Sequence, residues 1–493
     1  MHFLDRREFM QQSAGLAGVI GSGFFLSETE ANDRPQAQAT PRGANERINV
    51  AVIGVRSRGR DHITGLAGRH NCVVTHVCDV DTAVVGGAVE LARQRQGSAP
   101  TVVQDLRRIM ENRDIHAVSI ATPNHWHALA GIWAMQNGKH VYVEKPVSHN
   151  VWEGRRLVEA SRHYDKICQA GTQIRSEPNI REAIEFLRSG GLGRCSVARG
   201  LCYKRRNTIG RVNGPQQAPR TMDYNLWCGP ASNAAPRRNN PAFGPVHYDW
   251  HWIWEYGNGD LGNQGIHQMD VARWGLGKSE LSRSVMSLGG RFGYVDDGET
   301  PNTQVGLFDY GDCELIFEVR GLFPMGDYRT AQVGNVFHCA NGYLVMTNYS
   351  TATAFDNNNN VVRRFNSNRR GDHYGNFVAA IRSGRRQDLQ GEILEGHISS
   401  ALCHIVNVSH RLGRTVAFSR RDGILGEHRE GNETLNRMID HLRAREVNLD
   451  QAMLTVGRRL TLDVRAETFG NDAEANRLLT REYREGFVVP ARF

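Results

Sequence analysis

The feature that most limits what this chain can fold into is the alternation within residues 47–171. Short apolar runs rich in β-branched residues recur there, each followed by a stretch of helical character. The runs are 47–55 (INVAVIG at its heart), 72–80 (CVVTHVCDV), 117–122 (AVSIAT) and 140–146 (HVYVEKP). Helices are expected from about 59, over 82–96, and from about 125 to 137. Strands alternating with helices of this length predict a doubly wound parallel sheet, an α/β architecture.

The turn after the first run reads Gly54-Val55-Arg56-Ser57-Arg58-Gly59. A dinucleotide fingerprint is G-x-G-x-x-G. Gly54 and Gly59 fill its first and third places. Arg56 stands in the second, where backbone normally approaches the pyrophosphate. The helix start at Gly59 still offers amide donors for phosphate. Asp79 ends the second run, 25 residues after Gly54. An acid there can bind the adenosine ribose hydroxyls and repel a 2′-phosphate, favouring NAD over NADP. Arg56 and Arg58 blunt that preference, and Asp79 can equally cap the next helix.

With 493 residues the chain has room for a second domain. From about 194 to 347 it turns to short alternating runs such as GLFDYG (306–311), CELIFEVRG (313–321) and GYLVMTN (342–348). Helices are expected near 263–275, 371–383 and 391–412, and Asn357–Asn360 reads as a hairpin loop. The predicted division is a signal over 1–31, a linker over 32–46, a Rossmann domain over 47–172, an α+β domain over 173–418 and an extension over 419–493. The signal is inferred from Arg6-Arg7, Phe9 and the Gly/Ala-rich apolar run that follows, which has twin-arginine character and is too short to span a membrane. It implies export, with a mature form that has no membrane anchor.

Net charge is +8, but the arginines are scattered among acids and no nucleic-acid motif is present, so a nucleic-acid partner is not expected. Nine dispersed cysteines without CxxC spacing argue against a complete disulfide framework or a zinc site. Only five of 60 basic residues are lysine: Lys139, Lys145, Lys166, Lys204 and Lys278. Lysine, unlike arginine, can lose its proton when buried.

Two further segments carry a resemblance. Residues 121–128 read ATPNHWHA and residues 138–146 read GKHVYVEKP, with Glu144-Lys145-Pro146 at the end. With Gly54 and Asp79 they resemble the glucose–fructose oxidoreductase / inositol dehydrogenase / MocA family. The likeness continues through GTQIRS (171–176), GNQGIHQMDVARW (262–274) and HYGNFVAAIRSG (373–384). It implies a Rossmann domain followed by an α+β domain with a large open mixed sheet, a bound nicotinamide cofactor, a carbohydrate substrate, and dimers or tetramers. Cofactor contacts are implied at Thr122, Pro123, Asn124, His125, Glu144, Lys145 and Gln173, beside Gly54, Arg56, Ser57, Arg58, Gly59 and Asp79.

Oxidising a secondary alcohol needs a base for the hydroxyl proton and a donor for the oxygen. Lys145 ends a parallel strand, on the edge where doubly wound sheets place ligands. His267 matches the family's catalytic histidine. The family's usual Asp four residues earlier is here Asn263, which cannot act as a base. Asp270 shares a helix face with His267 and is a candidate support for it. Arg175 is a candidate substrate contact. Trp250, Trp252 and Trp254 alternate as in a strand, and Trp252 and Trp254 are candidates for stacking on a sugar ring. The His-x-His pair 125/127 lacks a carboxylate, so no metal is expected. The Gly-, Pro- and Asn-rich stretch 205–260 reads as a long loop, either a pocket cover or an oligomer contact. The function expected is NAD-dependent oxidation of a sugar, glycoside or polyol hydroxyl with tightly held cofactor. The alternatives are a redox-neutral NAD-dependent glycosidase or lyase, a sugar-for-sugar exchange, and a non-catalytic sugar-binding protein.

Overall fold

The computed structural model describes Gly43 and residues 46–493. The twin-arginine segment and most of the linker lie outside the described residues.

Six parallel strands build the first sheet: β1 (Ile48–Ile53), β2 (Cys72–Cys78), β3 (Thr101–Val103), β4 (Ala117–Ile120), β5 (His140–Val143) and β6 (Cys168–Ala170). Their order is 3-2-1-4-5-6. The order in which the chain adds strands reverses between β1 and β4, which opens a crevice at the strand C-termini. Each crossover carries a helix: α1 (Arg58–Leu66), α2 (Thr82–Gln96), the short Leu106–Glu111, α3 (Asn124–Gln136) and α4 (Val151–His163). The N-cap of α2 is Asp81, whose carboxylate accepts from the Ala83 amide at 3.0 Å. That leaves Asp79 free of the capping role.

The second sheet has 11 strands: β7 (Cys195–Tyr203), β8 (Ser284–Gly290), β9 (Thr303–Asp309), β10 (Glu314–Arg320), β11 (Val333–Cys339), β12 (Gly342–Met346), β13 (Ala352–Asp356), β14 (Val361–Phe365), β15 (Arg414–Ala417), β16 (Met453–Val456) and β17 (Leu460–Thr461). They run in the order 14-13-12-11-7-10-9-8-16-15, with β17 on β8; β7 and β10 are parallel and the other pairs antiparallel. Side chains alternate across it with the strand period of two. Leu315 and Phe317 face α5 (Ile266–Gly275) and α7 (Ile393–Arg411), while Ile316 between them faces the opposite layer. A further helix, α6 (His373–Ser383), belongs by sequence to the second domain. It covers the first sheet instead, packing Phe377 and Ile381 in one cluster with Val50 and Val52.

The C-terminal segment is part of both layers. Its helix α8 (Arg429–Arg443) lays Leu435, Met438, Ile439 and Leu442, one helix face, on Val305, Leu307 and Ile316 of the second sheet. Strand β16 pairs between β8 and β15. The chain then returns to the first domain. Phe487 meets the Trp126 and Trp133 rings at 5.7 and 6.4 Å, and the Tyr483 hydroxyl donates to Glu153 at 3.0 Å. Among the described residues no helix is long and apolar enough to cross a membrane.

Candidate active site

The crevice holds a cleft of about 890 Å³, lined by Gly54, Arg56, Ser57, Asp79, Thr122 and Pro123 among others. Gly54 has φ +83°, and a Cβ there would meet the Ala121 carbonyl at 2.7 Å. A Cβ on Gly59 would lie 1.9 Å from the Gly54 oxygen. Both places therefore demand glycine, as a tight strand-to-helix turn does. Asp79 Oδ2 accepts from the Val55 amide at 2.8 Å and Oδ1 from the Asp81 amide at 3.0 Å, which fixes its carboxylate at the cleft wall. Burial pushes the Asp79 carboxyl up, against those two amides. Thr122 Oγ1 is buried without a partner on the same wall. The Arg56 guanidinium sits 5.5 Å from the Phe243 ring centroid.

Arg58, an implied cofactor contact, is held by protein carboxylates. Its Nε donates to Glu144 at 2.8 Å and its Nη1 to Asp61 at 3.0 Å. Glu144 is the hub of a buried cluster. The same oxygen meets His62 Nε2 at 3.2 Å and accepts from Gln173 at 3.0 Å, and His62 Nδ1 lies 2.8 Å from Ser119 Oγ. Burial opposes the Glu144 charge, but Arg58 and His62 hold its carboxyl well below the usual range. Glu144 and Gln173 are thus held against each other beneath the cleft.

Lys145 follows β5 and is half-buried. Its Nζ donates to the Asn263 main-chain carbonyl at 2.5 Å. Burial lowers its pKa to about 8, against the pull of Glu144 and with help from Arg58 and Lys204. Lys139, the other lysine lowered to about 8, lies elsewhere and donates to the carbonyls of Asn112 and Ile115.

Asn263 lies in a π-helical turn, Leu261–Gly265, that leads directly into α5. Such turns recur at functional sites because they widen the helix and re-aim its side chains. Here the turn presents a carbonyl to Lys145. His267 lies one turn on. Its ring is 5.2 Å from that of Tyr349, and its buried Nδ1 has no partner. Burial, then the nearby Lys145 charge, push the imidazole well below its ordinary pKa, so it is neutral.

Asp270 does not support His267. Arg175 donates to both its oxygens, at 2.7 and 2.8 Å, and Ser399 donates to it at 2.7 Å. Arg175 also donates to Glu395 at 2.9 Å. The expected catalytic and substrate roles of Asp270 and Arg175 are therefore corrected: a buried charge needs its counter-ion, and these two side chains are engaged with each other.

The tryptophans are also corrected. Residues Asp249–Trp252 form a 3-10 helix, not a strand, so the three rings do not share a face. Trp250 lines the cleft, Trp252 is buried beneath the Arg206 guanidinium, and Trp254 lines a separate cavity. His125, expected at the cofactor, points away to the Trp227 carbonyl at 2.9 Å, and Asn124 donates to Asn258 at 3.0 Å. His125 Nε2 and both ring nitrogens of His127 meet main-chain carbonyls, while His125 Nδ1 is buried without a partner.

The loop 205–260 covers the cleft. Leu226, Trp227, His247, Tyr248, Trp250 and His251 roof it, and His247 is pinned to Asp81 at 2.8 Å. The His251 ring stacks on Trp250 at 3.6 Å. Sequence reasoning left this roof open between cover and interface, and missed Tyr349, His62 and His251. The only written hint of the widened turn is the pair Gly262 and Gly265; a Cβ on Gly265 would meet the Phe317 ring at 2.8 Å.

A glycine turn, an acid following β2 and a half-buried lysine following β5 are the features of a dinucleotide-binding fold. The chain belongs to the Gfo/Idh/MocA oxidoreductase family: residues 48–172 match its NAD-binding Rossmann fold and residues 194–442 its C-terminal alpha/beta domain. Among curated relatives, Glycosyl hydrolase family 109 protein 1 of Shewanella sp. (strain ANA-3) is 27% identical over 204 residues, 39% of this chain and 44% of that protein. Alpha-N-acetylgalactosaminidase of Shewanella oneidensis is 26% identical over the same length. The match thus spans less than half of each relative. Among solved structures, levoglucosan dehydrogenase in complex with NADH and levoglucosan has TM-score 0.54 at 18% identity, covering 73% of this chain and 95% of that one. The WlbA dehydrogenase from Bordetella pertussis in complex with NADH and UDP-GlcNAcA has TM-score 0.53 at 17% identity, covering 74% and 97%. These two likenesses are of fold.

Proposed function

We propose that this protein oxidises a secondary hydroxyl of a sugar, glycoside or polyol and holds NAD tightly while it does so. One observation carries the reading: Lys145, an amine lowered to about 8, is fixed by the Asn263 carbonyl at the strand end beside the crevice. An amine near neutral pKa can take a hydroxyl proton and return it. The neutral His267 imidazole, whose Nδ1 is unpartnered, is the proposed hydrogen-bond partner of the substrate oxygen. The cleft suits a dinucleotide. The backbone at 54 and 59 leaves no room for side chains, Asp79 is fixed for ribose hydroxyls, and Thr122 Oγ1 lacks a partner. When bound, NAD supplies a reversible acceptor for the hydride of the carbinol carbon. The 205–260 roof favours slow exchange of that cofactor.

A redox-neutral glycosidase is the second reading. The glycosyl hydrolase family 109 relatives favour it, as does Asn263 in the place of an acid. In that case Lys145 moves a proton in both directions and the cofactor is unchanged overall. Export through the twin-arginine segment supports either reading, since folded passage carries bound cofactor along. A homo-oligomer remains part of the proposal.

The test is to purify the protein without added nucleotide, denature it and identify what is released by mass spectrometry. Stoichiometric NAD(H) supports the reading, and p-nitrophenyl glycoside cleavage without added NAD then selects the glycosidase. A protein that neither carries nor binds NAD overturns both readings.

A further inference from the structure

A second cavity, of about 840 Å³, lies apart from the cofactor cleft. Four segments wall it: the stretch after Lys145, the loop at Trp254, the end of α7, and the C-terminal segment at 477–481. Asn258 links it to the cleft side. Its Oδ1 accepts from Asn124, and its main-chain oxygen accepts from Asn407 at 3.0 Å.

Three arginines ring the cavity. Arg481 is answered by Glu255. Arg411 and Arg477 are exposed at the rim, and neither has a described carboxylate within ion-pair distance, although Arg411 feels the charges of Glu299 and Glu255 nearby. The Arg411 guanidinium lies 5.5 Å from the Trp254 ring centroid. The floor is buried and incompletely satisfied. Asn407 and His404 are each 4% exposed. Asn407 Oδ1 has no partner, nor has His404 Nδ1, whose other ring nitrogen meets Ser148 Oγ at 3.4 Å. Buried polar atoms left this way are uncommon and call for a partner from outside.

The two parts ask for different groups. An amide oxygen can only accept, so the floor calls for a donor such as a hydroxyl. Guanidinium groups at the rim that no carboxylate contacts directly suit a carboxylate or sulfate. An indole beside them suits the apolar face of a ring. We propose that this cavity binds an acidic saccharide, its acid group on Arg411 and Arg477, its hydroxyls on Asn407 and His404, and its ring against Trp254. The saccharide part rests on the sugar-active reading above; the charge match stands without it.

The probe is D-glucuronate, titrated calorimetrically into the full-length protein, with D-glucose and sodium sulfate as controls. Glucuronate is expected to bind at one site per chain, with glucose and sulfate at least about tenfold weaker. The double variant Arg411→Gln/Arg477→Gln is expected to lose about tenfold in glucuronate affinity, with its melting temperature and released nucleotide unchanged. The single variant Arg477→Gln, at an exposed position, should show part of that loss. Glucuronate binding that is equal in the double variant overturns the site, and sulfate binding as tightly as glucuronate overturns the saccharide. NAD carried by a protein that ignores glucuronate removes this inference alone. Glucuronate bound by a protein without NAD removes the proposed function and supports this site.

Discussion

The two sheets contribute to the site in different ways. The parallel sheet delivers chemistry at its strand ends: Gly54 after β1, Asp79 after β2, Thr122 after β4, and Glu144 and Lys145 after β5. Each follows its strand by one to a few residues, so sequence order sets spatial order. The 11-stranded sheet offers no such edge. It acts as a floor on which α5 lies, and the helix, through its widened first turn, brings Asn263 and His267 to Lys145. The first half is a motif; the second is an assembly whose parts lie far apart in the chain.

The sharpest way to break that comparison is to remove the strand-end base. Lys145→Met is expected to lower kcat by about 10²–10⁴-fold while nucleotide content stays constant. In the unaltered protein, activity should rise with pH through about 8, because a base works only after losing its proton. Retention of more than a tenth of the activity in Lys145→Met would place the chemistry elsewhere.

Next in size is the buried ion pair of Arg175 and Asp270. Arg175→Met leaves the buried Asp270 carboxylate without its main partner, an expected loss of about 3 kcal/mol in stability by urea unfolding. Nucleotide content should not change. Loss of activity at full stability would return Arg175 to the substrate role the structure denies it.

These two cases show what was legible in the sequence. The strand–turn–helix units of the first domain are local, and their periods and glycines are written within a few residues of one another. The reversal of strand order then follows from the connections, and with it the crevice. Arg175 and Asp270 lie 95 residues apart, so nothing in either neighbourhood announces the pair. The alternating tryptophans carried a true strand-like period, yet packing overrode it, because Trp252 fills a buried place under Arg206. The C-terminal segment misled in the opposite sense. Strand β16 is only four residues long, too short to register a period, although it lies inside the large sheet.

That segment sharpens the comparison at lower energy. Glu467 accepts from His397 at 2.9 Å and pairs with Arg155 at 2.5 Å. Burial alone would raise its carboxyl, but these two partners hold it at about 2. A carboxyl depressed in the folded state stabilises above its unfolded value of 4.5 and loses that contribution as pH falls towards 2. The difference amounts to about 3 kcal/mol at neutral pH. Cleavage of the C-terminal segment by pepsin should therefore become faster between pH 4.5 and pH 2 than intrinsic pepsin activity explains. Glu467→Gln should be loose already at pH 4.5, with little further change; a variant that keeps the same pH dependence would assign it to other carboxylates.

The smallest expected effect tests the roof, the one part of the cofactor cleft that comes from beyond the first domain. Trp250 stacks on His251 and lines the cleft opposite the glycine turn. If the parallel sheet alone retained the nucleotide, removing this ring would change nothing at the cofactor. If the roof sets the exchange rate, Trp250→Ala opens one wall to solvent without touching Asp79 or the amides at 56–59. Release of NADH, followed by its fluorescence on dilution, is then expected to quicken by about tenfold, equivalent to about 1.4 kcal/mol. Equal release rates in the two proteins would make the cofactor the business of the first sheet alone, and the roof would be left with the substrate side only.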